Sequence, residues 1–132
     1  MMELPKPNRA AELFDLKDRV AIVTGGAGLL GYHHGAILAS AGANVVLFDL
    51  ATADPELRAL QLTQEFGSDN IGIAGDITQE SSILQARDKI LGKFGRIDIL
   101  INNAANNPKV ESGNMAWSRL DRKSTRLNSV TP

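Results

Sequence analysis

A glycine-rich turn set between an apolar strand and a helix constrains this chain more than any other feature. Residues 19–31 read RVAIVTGGAGLLG. The run at 20–23 has the composition of a buried strand, and Gly26, Gly28 and Gly31 fit the spacing G-x-G-x-x-G. The context of strand before and helix after is what gives that spacing its meaning. Glycines let the backbone turn tightly and approach a pyrophosphate, and the free N–H groups of the helix N-terminus point at its charge. The turn predicts a nucleotide cofactor.

The rest of the chain repeats the unit. Strands are predicted at residues 20–24, 44–48, 71–74 and 97–101. The first helix runs over 29–40 and is closed by Gly42. A second runs to about residue 66, with Asp54 as N-cap and Pro55 in its first turn. A third is opened by Thr78 or Ser81, carries Ile83, Leu84, Ile90 and Leu91, and ends near Gly95. A short helix is expected at 10–14 within a polar lead-in. Continuously apolar strands alternating with helices predict an α/β fold, with a parallel sheet covered on both faces. With right-handed crossovers this is the first half of a doubly wound parallel sheet. No apolar strand-like run follows Asn107, so the sheet is expected to be truncated after about its fourth strand.

Composition narrows the function classes. The chain has 132 residues, 43% of them hydrophobic and 22% charged, which suits one globular domain. A formal net charge of −1 gives no reason to expect a nucleic-acid or membrane partner. With no cysteine there is neither a disulfide framework nor a thiolate metal site. Prolines and charges stand where a signal peptide needs an apolar core, and no window approaches the roughly 18 apolar residues of a membrane span. A cytoplasmic location is the expectation. His33 and His34 have no carboxylate or cysteine at metal spacing and read as ordinary helix positions.

Acids and amides fall at strand ends, where open parallel sheets bind ligands. Asp49 ends the second strand, 18 residues beyond Gly31. An acid there accepts hydrogen bonds from both hydroxyls of an adenine ribose and repels a 2′-phosphate. Neither the glycine turn nor Leu50 and Ala51 supplies a cation to receive such a phosphate, which favours NAD over NADP. Asp76, in the string GDIT, follows the third strand, and Asn102 and Asn103 follow the fourth. A helix N-cap near Asp76 and an Asx turn at the asparagines are the alternatives for these residues taken singly.

Together the strings LKDRVAIVTGGAGLLG, the strand-end Asp49, GDIT and GRIDILINNAA resemble the N-terminal half of a short-chain dehydrogenase/reductase, over about residues 16–105. The resemblance implies a Rossmann-type fold in which Gly25, Ala27, Gly28, Leu29 and Leu30 line the pyrophosphate. It implies that Asp49 binds the adenosine ribose and that Asp76 and Ile77 hold the adenine. Asn103, Ala104 and Ala105 would border the cofactor beneath the fourth strand, with Asn103 also tying the sheet together. Two strings point to different branches. Leu29 occupies the middle glycine of the TGxxxGxG turn of the classical branch, and residues 24–31 fit the TGxxGxxG spacing of the extended branch of nucleotide-sugar epimerases and dehydratases. The NNAA string points back to the classical dehydrogenases.

The family's proton relay resembles a tyrosine with a lysine four residues later. The one tyrosine here, Tyr32, lies in the first helix and is followed at that distance by Ala36. The expected organisation is a lead-in at 1–17, an NAD-binding half-domain at 18–107, a truncated loop at 108–120 that holds Met115 and Trp117, and a non-native tail at 121–132. Residues 121–129, DRKSTRLNS, resemble codon for codon the translation of a sequencing-library adapter. The chain is thus expected to be an inactive cofactor-binding portion of an oxidoreductase acting on an alcohol or ketone of sugar-like character. Its parent is expected to be a homo-oligomer. A non-catalytic NAD-binding module and a methyltransferase are the other classes, the latter opposed by the TGG and NNAA strings.

Overall fold

The computed structural model describes residues 9–105. The readings of residues 1–8 and of 106–132, including the loop and the tail, lie outside the described residues. The elements follow in the order α1 (Arg9–Leu13), β1 (Val20–Thr24), α2 (Leu29–Ser40), β2 (Asn44–Asp49), α3 (Pro55–Phe66), β3 (Ile71–Ala74), α4 (Glu80–Phe94) and β4 (Ile99–Ile101). The four strands form one parallel sheet in the order β3-β2-β1-β4. This is the Rossmann-type arrangement. Because β2 lies on one side of β1 and β4 on the other, the strand order reverses beside β1, the position at which such sheets open a crevice.

Alternation along the strands divides the core into two layers. Ala21, Val23, Val45 and Leu47 face one way and pack with Ala39 of α2 and with Ala59 and Leu62 of α3. Val20, Val46, Phe48 and Ile73 face the other way, onto Ala86 and Ile90 of α4. Residues 45–48 of β2 are buried on both faces, whereas in β1 Ile22, on the α4 side, is half-buried and borders an apolar hollow; both strands read as apolar runs. The α4 side is the thinner one. Ile83, Leu84 and Leu91 of α4 are exposed, and so is Leu100 on β4.

Local chemistry accounts for the boundaries. Asp54 caps α3 by accepting the Leu57 N–H at 3.3 Å, with Pro55 in the first turn. Gly67 and Gly95 close α3 and α4 in the left-handed conformation. Two expectations need correction. Neither Thr78 nor Ser81 opens α4, whose N-cap is Gln79, because the Thr78 N–H and hydroxyl both donate to Asp76 Oδ1 at 2.9 and 2.7 Å. The fourth strand begins at Ile99 rather than residue 97. The carboxylate of Asp98 takes the Val20 N–H at 2.9 Å, in place of the carbonyl that a longer strand would present. A short 3-10 turn at Ala51–Ala53 went unpredicted.

Candidate functional site

The strand ends open onto a cleft of about 760 Å³. Its wall runs from Gly25 and Gly28 through Leu29 and Leu30 to Asp49, then to Asp76 and Ile77, and closes with Asn103, Ala104 and Ala105. Every sequence-predicted site residue except Ala27 lines it. Ala27 is buried behind the wall and takes part through its backbone. Gly31, Leu50 and Thr78 also line the cleft and were not among the residues assigned to the cofactor from the sequence. Gly31 was visible as the third glycine of the spacing, whereas Leu50 and Thr78 carry no signal beyond adjacency to Asp49 and Asp76. Asn102 faces away, into an apolar hollow on the α4 side.

The turn is fastened on three sides. Gly25 adopts a left-handed φ of 64°, which favours glycine. Its carbonyl accepts the Asn103 Nδ2 at 3.2 Å and the Gly28 N–H at 3.2 Å. The Thr24 hydroxyl accepts the N–H groups of Asn103 and Ala104, both at 3.1 Å, and donates to the Ile101 carbonyl. Asn103 thus binds the end of β4 to the end of β1. On the β2 side, the Gly26 N–H donates to the Phe48 carbonyl at 3.3 Å and the Ala27 N–H donates to Asp49 Oδ2 at 3.0 Å.

These bonds decide which N–H groups are left for a ligand. Those of Gly26, Ala27 and Gly28 are spent within the fold. The first intrahelical bond of α2 runs from the Tyr32 N–H to the Gly28 carbonyl at 2.9 Å. The N–H groups of Leu29, Leu30 and Gly31 therefore project from the first turn without an acceptor among the described residues, and no acidic side chain stands in that turn. An anion is the natural complement. Leu29 begins the helix without a positive φ and is 79% exposed.

Two carboxylates face the cleft. Asp49 Oδ1 accepts the Leu50 N–H at 2.8 Å while Oδ2 holds Ala27, so each oxygen is engaged once by backbone. Asp76 Oδ1 is taken by Thr78, whose hydroxyl and N–H hold the Asp76 carboxyl below its usual range. Asp76 Oδ2 has no partner among the described residues.

A family model for the short chain dehydrogenases matches residues 19–128. The chain belongs to the short-chain dehydrogenase family. Within this family of oxidoreductases, it is 39% identical over 92 residues to a peroxisomal 2,4-dienoyl-CoA reductase of Danio rerio, covering 70% of this chain and 31% of that protein. It is 37% identical over 91 residues to a D-threitol dehydrogenase of Mycolicibacterium smegmatis, covering 69% of this chain and 35% of that one. Among solved structures, an NADPH-dependent 3-quinuclidinone reductase from Rhodotorula rubra superposes with a TM-score of 0.67 at 25% identity, over 90% of this chain and 46% of that chain. An NAD+-bound xylitol dehydrogenase superposes with a TM-score of 0.65 at 28% identity, over 69% of this chain and 35% of that one. The short-chain dehydrogenase chain described here spans about a third of the length of these two curated relatives.

Proposed function

We propose that this chain is the NAD-holding portion of an oxidoreductase that moves hydride between nicotinamide and an alcohol or ketone of sugar-like character. The observation that carries the reading is the state of Asp49. A carboxylate offers about four acceptor sites. With one site on each oxygen given to Ala27 and Leu50, each oxygen keeps one toward the cleft, the complement of a ribose diol. A 2′-phosphate would meet that negative charge, and none of the described residues lining the cleft is a lysine or arginine.

The other residues take roles that follow from their atoms. The N–H groups of Leu29, Leu30 and Gly31 receive the pyrophosphate, beside the close backbone of Gly25 and Gly28. Asp76 Oδ2 accepts from the exocyclic amine of adenine, against which Ile77 presents an exposed apolar side chain. Asn103, Ala104 and Ala105 carry the wall toward the nicotinamide. Bound NAD supplies the hydride acceptor. The polyol names of the D-threitol and xylitol dehydrogenases support the substrate class.

The chain alone is proposed to lack turnover. Tyr32 is half-buried against the α2–α3 core layer and is followed four residues later by Ala36, so it offers no tyrosine–lysine relay. Calorimetric titration of the chain with NAD, NADP and S-adenosylmethionine tests the assignment. NAD is expected to bind at least about tenfold more tightly than NADP, about 1.4 kcal/mol. Equal or tighter binding of either competitor overturns it. A dehydrogenase assay with D-threitol and xylitol is expected to yield no NADH.

A further inference from the structure

Ala27 is the one predicted pyrophosphate residue that does not line the cleft, and its N–H reaches Asp49, 22 residues away. Ala27 is only 6% exposed, so water is a poor substitute for that acceptor. The peptides on either side of it are fixed by other groups, Gly26 by the Phe48 carbonyl and Gly28 by the Gly25 carbonyl. Among the described residues, Asp49 therefore supplies the one side-chain acceptor for an N–H of the stretch that joins β1 to α2, whose other side-chain bond runs from Asn103 Nδ2 to the Gly25 carbonyl. The unpartnered N–H groups of Leu29 and Leu30 begin two residues beyond Ala27.

We propose that Asp49 is a positioning residue for the glycine turn as well as a ribose acceptor. By holding the Ala27 N–H it sets the peptide geometry that presents the start of α2 to a diphosphate. The same bond, with that from Leu50, keeps the carboxylate from swinging aside to admit a 2′-phosphate. The ligand side of this inference rests on the NAD reading above, whereas the bond between Asp49 and the turn does not.

The consequence is separable by a probe that cannot use the ribose contact. 2′,3′-Dideoxy-ADP keeps adenine and diphosphate but lacks both hydroxyls. In Asp49→Ala the Ala27 acceptor is gone. In Asp49→Asn a side-chain oxygen remains for it, while the Leu50 N–H, on an exposed residue, passes to water. Asp49→Ala is expected to bind the probe about tenfold more weakly than wild type, and Asp49→Asn to stay within about twofold. Asp49→Asn is nonetheless expected to lose its preference for NAD over NADP, which a purely structural role would leave unchanged.

Hydrogen exchange at the Ala27 amide gives a ligand-free reading. Protection is expected in wild type and in Asp49→Asn, with exchange at least about tenfold faster in Asp49→Ala. An Ala27 amide unprotected in wild type overturns the proposal, as does an Asp49→Ala chain that binds the probe like wild type. If Asp49→Ala does not fold, loss of Ala27 protection in Asp49→Asn overturns it and retention supports it. Should wild type bind neither NAD nor the probe, the cofactor reading fails, and the exchange comparison still decides the role of Asp49.

Discussion

Gly31 sits so close to the carbonyl oxygen of Gly25 that a β-carbon at residue 31 would collide with it, and would also stand 2.8 Å from Asn103 Nδ2. The first turn of α2 thereby rests directly on the glycine turn, and the two cannot separate without opening the anion site. Gly31→Ala is expected to destabilise the chain by about 2–3 kcal/mol, since backbone oxygen yields less readily than a side chain. NAD binding should fall with it. Gly28 differs, because a β-carbon there meets nothing nearer than Gly25 O at 3.4 Å. Gly28→Ala should cost less than about 1 kcal/mol. Urea unfolding of the two variants checks the contrast, which fails if Gly28→Ala proves the worse.

Thr24 joins the carboxyl ends of β1 and β4 through one hydroxyl. Thr24→Val keeps the shape and removes the oxygen, so the Ala104 N–H loses its acceptor while the Asn103 N–H keeps only the Ile101 carbonyl at 3.0 Å. A loss of about 1–3 kcal/mol is expected. Amide exchange should quicken at residue 104, and less at residue 103, while that of β2 is unchanged. Uniform acceleration across the sheet would contradict this local reading.

Asn70 is a buried polar residue, 7% exposed. Its Oδ1 accepts the Val45 N–H at 2.8 Å, and its Nδ2 donates to Thr63 Oγ1 and to the Ser68 carbonyl. It ties β2 to the turn between α3 and β3. Asn70→Leu leaves the Val45 N–H without a partner in a dry layer and should destabilise by about 2 kcal/mol or more. Thermal unfolding followed by circular dichroism measures it, and an unchanged midpoint would count against the bond.

Much of the fold was legible because its signals are local. Apolar runs mark β1, β2 and β3, Asp54 and Pro55 mark the start of α3, and Gly95 marks the end of α4. The start of α4 was misread because Thr78 turns back onto Asp76 instead of capping the helix. The start of β4 was misread because Asp98 bonds Val20, 78 residues away. Sequence spacing carries no trace of such a pairing. The cleft shows the same division. Asp49 and Asp76 were readable from their positions at strand ends, whereas the bonds from Ala27 to Asp49 and from Asn103 to Thr24 arise only when β2 and β4 settle on either side of β1.

Acid should weaken the opposite end of the sheet from the cleft. Asp98 accepts two bonds from the Arg96 guanidinium, at 2.7 and 2.8 Å, and one from the Val20 N–H. The Arg96 hydrogen bonds first, then the Val20 N–H, pull its carboxyl down from 3.8 to about 2. A carboxyl with a lower pKa in the folded chain than in the unfolded one stabilises the fold fully above the unfolded value. That contribution is lost as pH falls from about 4 toward about 2, when the unfolded chain takes up the proton first. Asp76 is pulled the same way by Thr78, so part of the acid sensitivity belongs to it. Asp98→Asn is therefore expected to lower stability at neutral pH and to flatten, without abolishing, its fall between pH 4 and 2. Melting midpoints of wild type and variant across pH 2–6 check this. Parallel curves through the acid window would show that the Asp98 pairing is not what acid breaks.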